Sequence, residues 1–166
     1  MYRGIQVAGP FSITVEMDIF DTGKIPPPAP APNAFGQNSN EIISYTYEPA
    51  NMRVTRNTNC GGAQAFLGET VASGNPRTVE VVNDLDGNGA FTVGADIPVF
   101  RYYDGKNIEL FPGATPADIP KIRTIEITLV VDTADPDLTI KQKRRMVYST
   151  RVIPRNHFRN PYPTNP

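Results

Sequence analysis

The sequence predicts a mostly β domain, an antiparallel fold of about seven strands with long loops, and three observations carry that prediction. Apolar and polar residues alternate with period two in "FSITVEMDIF" and in "TIEITLVV". Proline and glycine number 17 and 13 in 166 residues, which favours turns and loops over helices. No segment carries a helical apolar repeat longer than two turns. One-sided strands must cover their apolar face, so either a second sheet lies over it or a helix that this chain does not contain does so.

Residues 1–10 read as a lead-in that could be the remnant of a helix, residues 11–156 as one globular domain and residues 157–166 as a tail. In the first strand Phe11, Ile13, Val15, Met17 and Ile19 should face the core, and Ser12, Thr14, Glu16 and Asp18 the water. "KIPPPAPAPNAFGQNSN" is a loop, because consecutive prolines lack the amide donors a ladder needs. "EIISYTYEPANMRVTRNT" is a hairpin turning at Pro49-Ala50-Asn51. Residues 57–76 are rich in Gly, Asn and Ala and read as a loop with one helical turn near Ala63 to Leu67.

"RTVEVVND" is a short strand, "DLDGNGAF" a tight turn, and "IPVFRYYDGKNIELFPG" a second hairpin with Asp104-Gly105-Lys106 near its tip. "ATPADIP" is a turn or a single helical turn, and Asp118, standing before Ile119-Pro120, should stop any helix there. Ile125, Ile127, Leu129 and Val131 should face inward, opposite Thr124, Glu126 and Thr128. The last strand runs from Met146 to Ile153, with Met146, Tyr148 and Val152 on one face, Ser149 and Arg151 on the other, and Pro154 ending it.

Composition narrows the function. Lys plus Arg is 16 and Asp plus Glu is 17, so the net charge of −1 offers no general attraction to nucleic acid or an anionic membrane. The basic run Lys141, Lys143, Arg144, Arg145, Arg151, Arg155 and Arg159 suits phosphates or the guarding of an edge strand, and the acidic "DTADPD" just upstream favours the guard. Cys60 is the single cysteine, so no internal disulfide forms, and its one possible histidine partner is His157. No window of 18 apolar residues exists, and "MYRGIQVAGP" lacks the apolar run of a signal peptide. There is no Walker loop, no GxSxG and no His-rich metal spacing, and the carboxylates are scattered, so neither catalysis nor a small-molecule substrate is expected.

The sharpest local motif is Asp84-Leu85-Asp86-Gly87-Asn88-Gly89. It sets oxygen side chains at positions 1, 3 and 5 and glycine at 6, as calcium loops do. Asp84, Asp86 and Asn88 are therefore candidate metal ligands, with calcium as the candidate ion and no cofactor strictly required. Position 12, where an EF-hand has its bidentate Glu, is Ala95, with Asp96 one place later. A plain turn explains the same residues, since Asp, Asn and Gly favour turns by themselves.

Four stretches, in this order, resemble the globular domains of minor pilins of the PilW type and minor pseudopilins of the PulJ type: "ITVEMDIFDTG", "EIISYTYEPANMRVTR", "VFRYYDGKNIEL", and "ADIPKIRTIEITLVVDTADPD" with "RRMVYSTRVIPRN". Together they cover most of residues 11–156. The resemblance implies an α+β pilin-like fold whose sheet packs on a long N-terminal helix. That helix, and the prepilin peptidase site before it, have no counterpart ahead of Tyr2, so either the chain lacks that segment or another polypeptide supplies the helix. "DLDGNG" lies outside the matched stretches, so the resemblance adds nothing to the case for calcium.

By that resemblance the domain is a structural subunit with no reaction of its own. It associates with other minor pilins or pseudopilins and with the major pilin, in the periplasm or at the cell surface. Its place is at the tip of a type IV pilus or a type II secretion pseudopilus, with no membrane contact by this chain itself. An uncovered apolar sheet face, the Pro-rich loop at 25–32 and the Gly-rich loop at 57–76 are the expected contact surfaces. The alternative is a secreted or surface β domain that binds a ligand or DNA.

Overall fold

A computed structural model describes residues 4–17, 41–59, 61–68, 79–110 and 113–154. Within them nine strands form two antiparallel sheets, two strands more than the sequence predicts. The first sheet holds β1 (Gly4–Ala8), β2 (Ser12–Met17), β3 (Glu41–Glu48), β4 (Arg53–Thr58) and β5 (Ala63–Leu67), each beside its sequence neighbour. The second holds β6 (Val79–Val81), β7 (Phe100–Tyr103), β8 (Thr124–Thr133) and β9 (Arg145–Val152).

Two strands lie where the sequence reads as something else, and the return arm of the expected second hairpin is reduced to an isolated bridge between Tyr103 and Glu109. Gly4–Ala8, expected as a lead-in or helix remnant, pairs antiparallel with β2 through Ile5 opposite Val15 and Ala8 opposite Ile13. Ala63–Leu67, expected as a helical turn, pairs with β4. Each segment is too short for periodicity to separate strand from helix, and a waiting strand edge decides the outcome. The single helical turn expected as one alternative at "ATPADIP" forms, as a 3-10 helix at Ile119–Lys121 with Pro120 in its first turn, so Asp118 precedes that turn and does not stop it.

The β3–β4 hairpin forms as expected, with Glu48 opposite Arg53 around a 3-10 turn at Pro49–Asn51. Met52 closes that turn with φ of 48°, and its amide donates to the Pro49 carbonyl. In the second sheet β8 is the spine. Val131 pairs with Val81 on one side and Met146 on the other, while Ile127 pairs with Phe100 and Thr150. β6 and β7 therefore lie end to end along one edge of β8, and β9 alone occupies the other.

The two sheets cover each other, which realises the second-sheet alternative. The core joins Ile5, Ala8, Ile13, Tyr47 and Val54 of the first sheet to Val81, Phe100, Tyr102 and Ile125 of the second, with Val99 and Ile122 from flanking segments. Polar groups lock this packing. The Tyr102 hydroxyl donates to the carbonyls of Gly9 (3.0 Å) and Ser12 (3.3 Å), and the Phe100 amide to that of Pro10 (2.9 Å). Phe11 meets Tyr47 edge to face at 4.9 Å.

Two sides of the predicted alternation need correction. Glu16, expected in water, is 9% exposed and accepts a hydrogen bond from Gln6 Nε2 on β1, because β1 lies beside it. On β8, Ile125 is buried as expected, but Ile127, Leu129 and Val131 are half-buried, whereas Val130 on the opposite face is 1% exposed. No helix among the described residues is long and apolar enough to cross a membrane.

Candidate functional site

Two places could carry function: the loop between β6 and β7, and the open side of β9.

The loop spans residues 82–99 and is pinched at its neck. Asn83 and Ile97 exchange bonds: the Ile97 amide donates to the Asn83 carbonyl and Asn83 Nδ2 to the Ile97 carbonyl, both at 3.0 Å. The first sheet fixes its position. The Tyr47 hydroxyl donates to the Val81 carbonyl (3.1 Å) and accepts from the Asp84 amide (3.3 Å), while Phe91 packs edge to face on Phe11 at 5.4 Å. Burial, followed by the nearby Asp84 charge, pushes the Tyr47 hydroxyl pKa up despite its hydrogen bonds, so the neutral form is retained.

Inside this frame Asp84, Asp86 and Asp96 each offer a carboxylate oxygen within 4.8 Å of the others. Gly87 and Gly89 adopt φ of +70° and +83°, which turns their amides onto the two oxygens of Asp84 at 2.8 and 2.9 Å. Asp96 is buried and ties the loop together, accepting from the Leu85 amide (2.7 Å) and the Thr92 amide (2.6 Å) on separate oxygens. Burial disfavours the Asp86 anion, but hydrogen bonds, that from the Asn88 amide (3.1 Å) foremost, outweigh it and hold its carboxyl below the usual range.

Of the three ligands expected from sequence, Asp84 and Asp86 come together, but Asn88 takes a different part. Its Nδ2 donates to Asp86 Oδ2 (2.9 Å) and Thr92 Oγ1 (2.7 Å), and its Oδ1 accepts from the Ala90 amide (2.7 Å). Asp96 stands third instead. The loop is one residue longer than the EF-hand count, which puts Ala95 at the closing place, so the acidic residue just after it was the available signal. Asp96 Oδ1 accepts two amides, those of Leu85 and Asp86 (3.3 Å), whereas the oxygens of Asp84 and Asp86 each keep a second lone-pair direction. The trio therefore suits a hard cation mainly through Asp84 and Asp86, and equally the amides suffice to hold a rigid turn.

The second place is a surface. Antiparallel partners share a face, so Ile125, Leu129 and Val131 lie on the same side as Val152, Tyr148 and Met146 respectively. On β8 this side packs against the core, but on β9 it runs out beyond the first sheet. Every residue of β9 is exposed, Tyr148 at 71% and Met146 at 54%. The result is an apolar strip continuous with the core yet open to solvent.

The basic run does not form a free cationic patch. Lys143 bonds Glu80 at 2.5 Å, Arg144 pairs with Asp137, Arg145 grips Asp132 through two nitrogens at 2.8 and 2.9 Å, and Arg151 meets Glu126 at 2.7 Å. Arg155 and Arg159 lie outside the described residues, as do Cys60, His157 and the Pro-rich loop; of the Gly-rich loop, 57–59 and 61–68 are described. No protein-family model, no curated protein and no solved structure matches this chain.

Proposed function

We propose that this domain is a structural subunit of the minor pilin or minor pseudopilin kind, which associates with sister subunits to initiate or cap a filament. The observation that carries the proposal is the open apolar strip of Met146, Tyr148 and Val152 beside half-buried Ile127, Leu129 and Val131. A strip that extends a core into solvent costs solubility unless a partner covers it. The order of the four resembling segments names the kind of partner: other minor pilins or pseudopilins, and the major pilin, in the periplasm or at the cell surface. In this role the domain binds no substrate and catalyses nothing. An ion held by Asp84, Asp86 and Asp96 would stiffen the loop, with calcium the fitting choice.

The test is a pull-down of the chain against co-expressed minor pilins, with a Met146→Arg/Tyr148→Arg variant alongside, and a deletion strain imaged for filaments. The proposal expects partner capture by the native chain, its loss in the variant at unchanged Tm, and too few filaments in the deletion strain. Normal filaments and secretion without capture of any sister subunit would overturn it in favour of a ligand-binding surface domain.

A further inference from the structure

The outer edge of β9 presents a second, different surface. The Thr133 amide donates to the Arg144 carbonyl, which fixes the hydrogen-bonding phase of the β8–β9 ladder. In that phase Met146, Tyr148, Thr150 and Val152 direct their backbone groups at β8. The other edge of β8 agrees, since the Thr128 amide and the Val130 carbonyl bond Val99 and Val82 there. Arg145, Val147, Ser149, Arg151 and Ile153 therefore aim their amides and carbonyls away from the sheet. Among the described residues no strand pairs with that side.

An edge this long is normally guarded by free charge, proline or a bulge. Here the β8–β9 register is unbroken and Pro154 comes after the strand. Both arginines of β9 are drawn back across the sheet, Arg145 onto Asp132 and Arg151 onto Glu126 and over the Tyr103 ring at 4.6 Å. Between them the outward-bonding residues are Val147 and Ser149, both uncharged.

We propose that this edge pairs with the same edge of a second copy, joining two second sheets into one across a two-fold axis. A symmetric antiparallel pair needs one residue opposite itself, and the centre of an eight-residue strand offers Tyr148 or Ser149. Centring on Tyr148 sets Arg145 against the partner's Arg151, a like-charge pair. Centring on Ser149 sets Val147 against the partner's Arg151 and Arg145 against the partner's Ile153, with no like charges opposed. It also places Met146 opposite the partner's Val152, which merges the two apolar strips. Ser149 already meets Thr128 Oγ1 at 3.2 Å, so the self-opposed serines extend a row of hydroxyls.

The strand is thus complementary to itself in one register, which is why a second copy, rather than an unrelated strand, is the occupant. This inference does not rest on the proposed function: the pairing is made by the backbone edge of β9 and leaves the merged apolar faces open to a further partner.

The experiment is sedimentation equilibrium of the whole chain with amide hydrogen exchange. Expected are a concentration-dependent dimer and slowed exchange at Val147, Ser149 and Arg151 in the dimer alone. Val147→Lys opposes two like-charge pairs by symmetry and should weaken association roughly tenfold. Val147→Glu, equally charged, faces the partner's Arg151 and should not weaken it. Val147 is exposed, so neither variant threatens the fold. A monomer at all concentrations, equal weakening by both variants, or protection that appears only when another protein is added overturns the proposal.

Discussion

The side chain of Asn83 stands where a strand backbone would stand opposite Val130. Its Oδ1 accepts the Val130 amide at 2.9 Å, and its Nδ2 donates to the carbonyls of Thr128 (2.9 Å) and Ile97 (3.0 Å). β6 ends its pairing at Val131 and β7 begins at Ile127, so one carboxamide bridges the gap between them along β8. The same residue closes the neck of the Asp84–Asp96 loop.

Truncating Asn83 should therefore be costly. Asn83→Ala strands a buried amide and two carbonyls and should destabilise by roughly 3–5 kcal/mol in urea unfolding. Asn88→Ala, in the exposed part of the same loop, should cost about 1 kcal/mol or less. Similar losses at the two positions would contradict the bridging role of Asn83.

The alternation on β8 gives a second comparison. Ile125→Asp buries a carboxylate without a partner and should cost several kcal/mol, at least about 3. Glu126→Gln breaks an outward ion pair with Arg151 and should cost about 1 kcal/mol at most. Thermal melting of the two single variants measures both.

If the carboxylate trio takes calcium, millimolar calcium should raise Tm through preferential binding to the folded state. Asp86→Ala should abolish that rise while leaving the calcium-free Tm nearly unchanged. Asp96→Ala should also lower the calcium-free Tm, because Asp96 accepts the Leu85 and Thr92 amides. A Tm indifferent to calcium in the native chain leaves the loop a hydrogen-bonded turn.

Stability should fall at both ends of the pH scale. The Arg145 guanidinium holds the Asp132 carboxyl below its ordinary 3.8, and bonds from the Thr139 and Ile140 amides do the same for Asp137. A carboxyl depressed on folding stabilises fully above its unfolded pKa, and that contribution is lost as pH drops from about 4 toward the folded value. Burial raises Tyr102 above its ordinary 10.0, so its contribution is intact below pH 10 and declines above it. Asp132→Asn should flatten the acid limb of a Tm-against-pH curve. Tyr102→Phe should flatten the alkaline limb, at the expense of the hydroxyl bonds to Gly9 and Ser12.

The sequence by itself determined the β class, the β3–β4 hairpin, the positions of β2, β8 and β9, and the Asp84–Asp86 turn. Each rests on a local rule: period two, a turn at Pro49–Asn51, or the oxygen side chains of a D-x-D-x-N-G run. Periodicity reports which side chains share a face but not what lies over that face. Only the tertiary structure decided that Ile125 is deeply buried while Tyr148 on the same face lies in water, since the first sheet covers β8 and stops short of β9. The same limit hid Glu16 beside β1, the burial of Val130, and the strands Gly4–Ala8 and Ala63–Leu67. Asn83 was illegible for a related reason: its partner Thr128 lies 45 residues away, and a bond across that distance is set by how the sheets close. Asp96 left a signal as the acidic residue just past Ala95, but its bond to the Leu85 amide, 11 residues away, is made only when the loop folds.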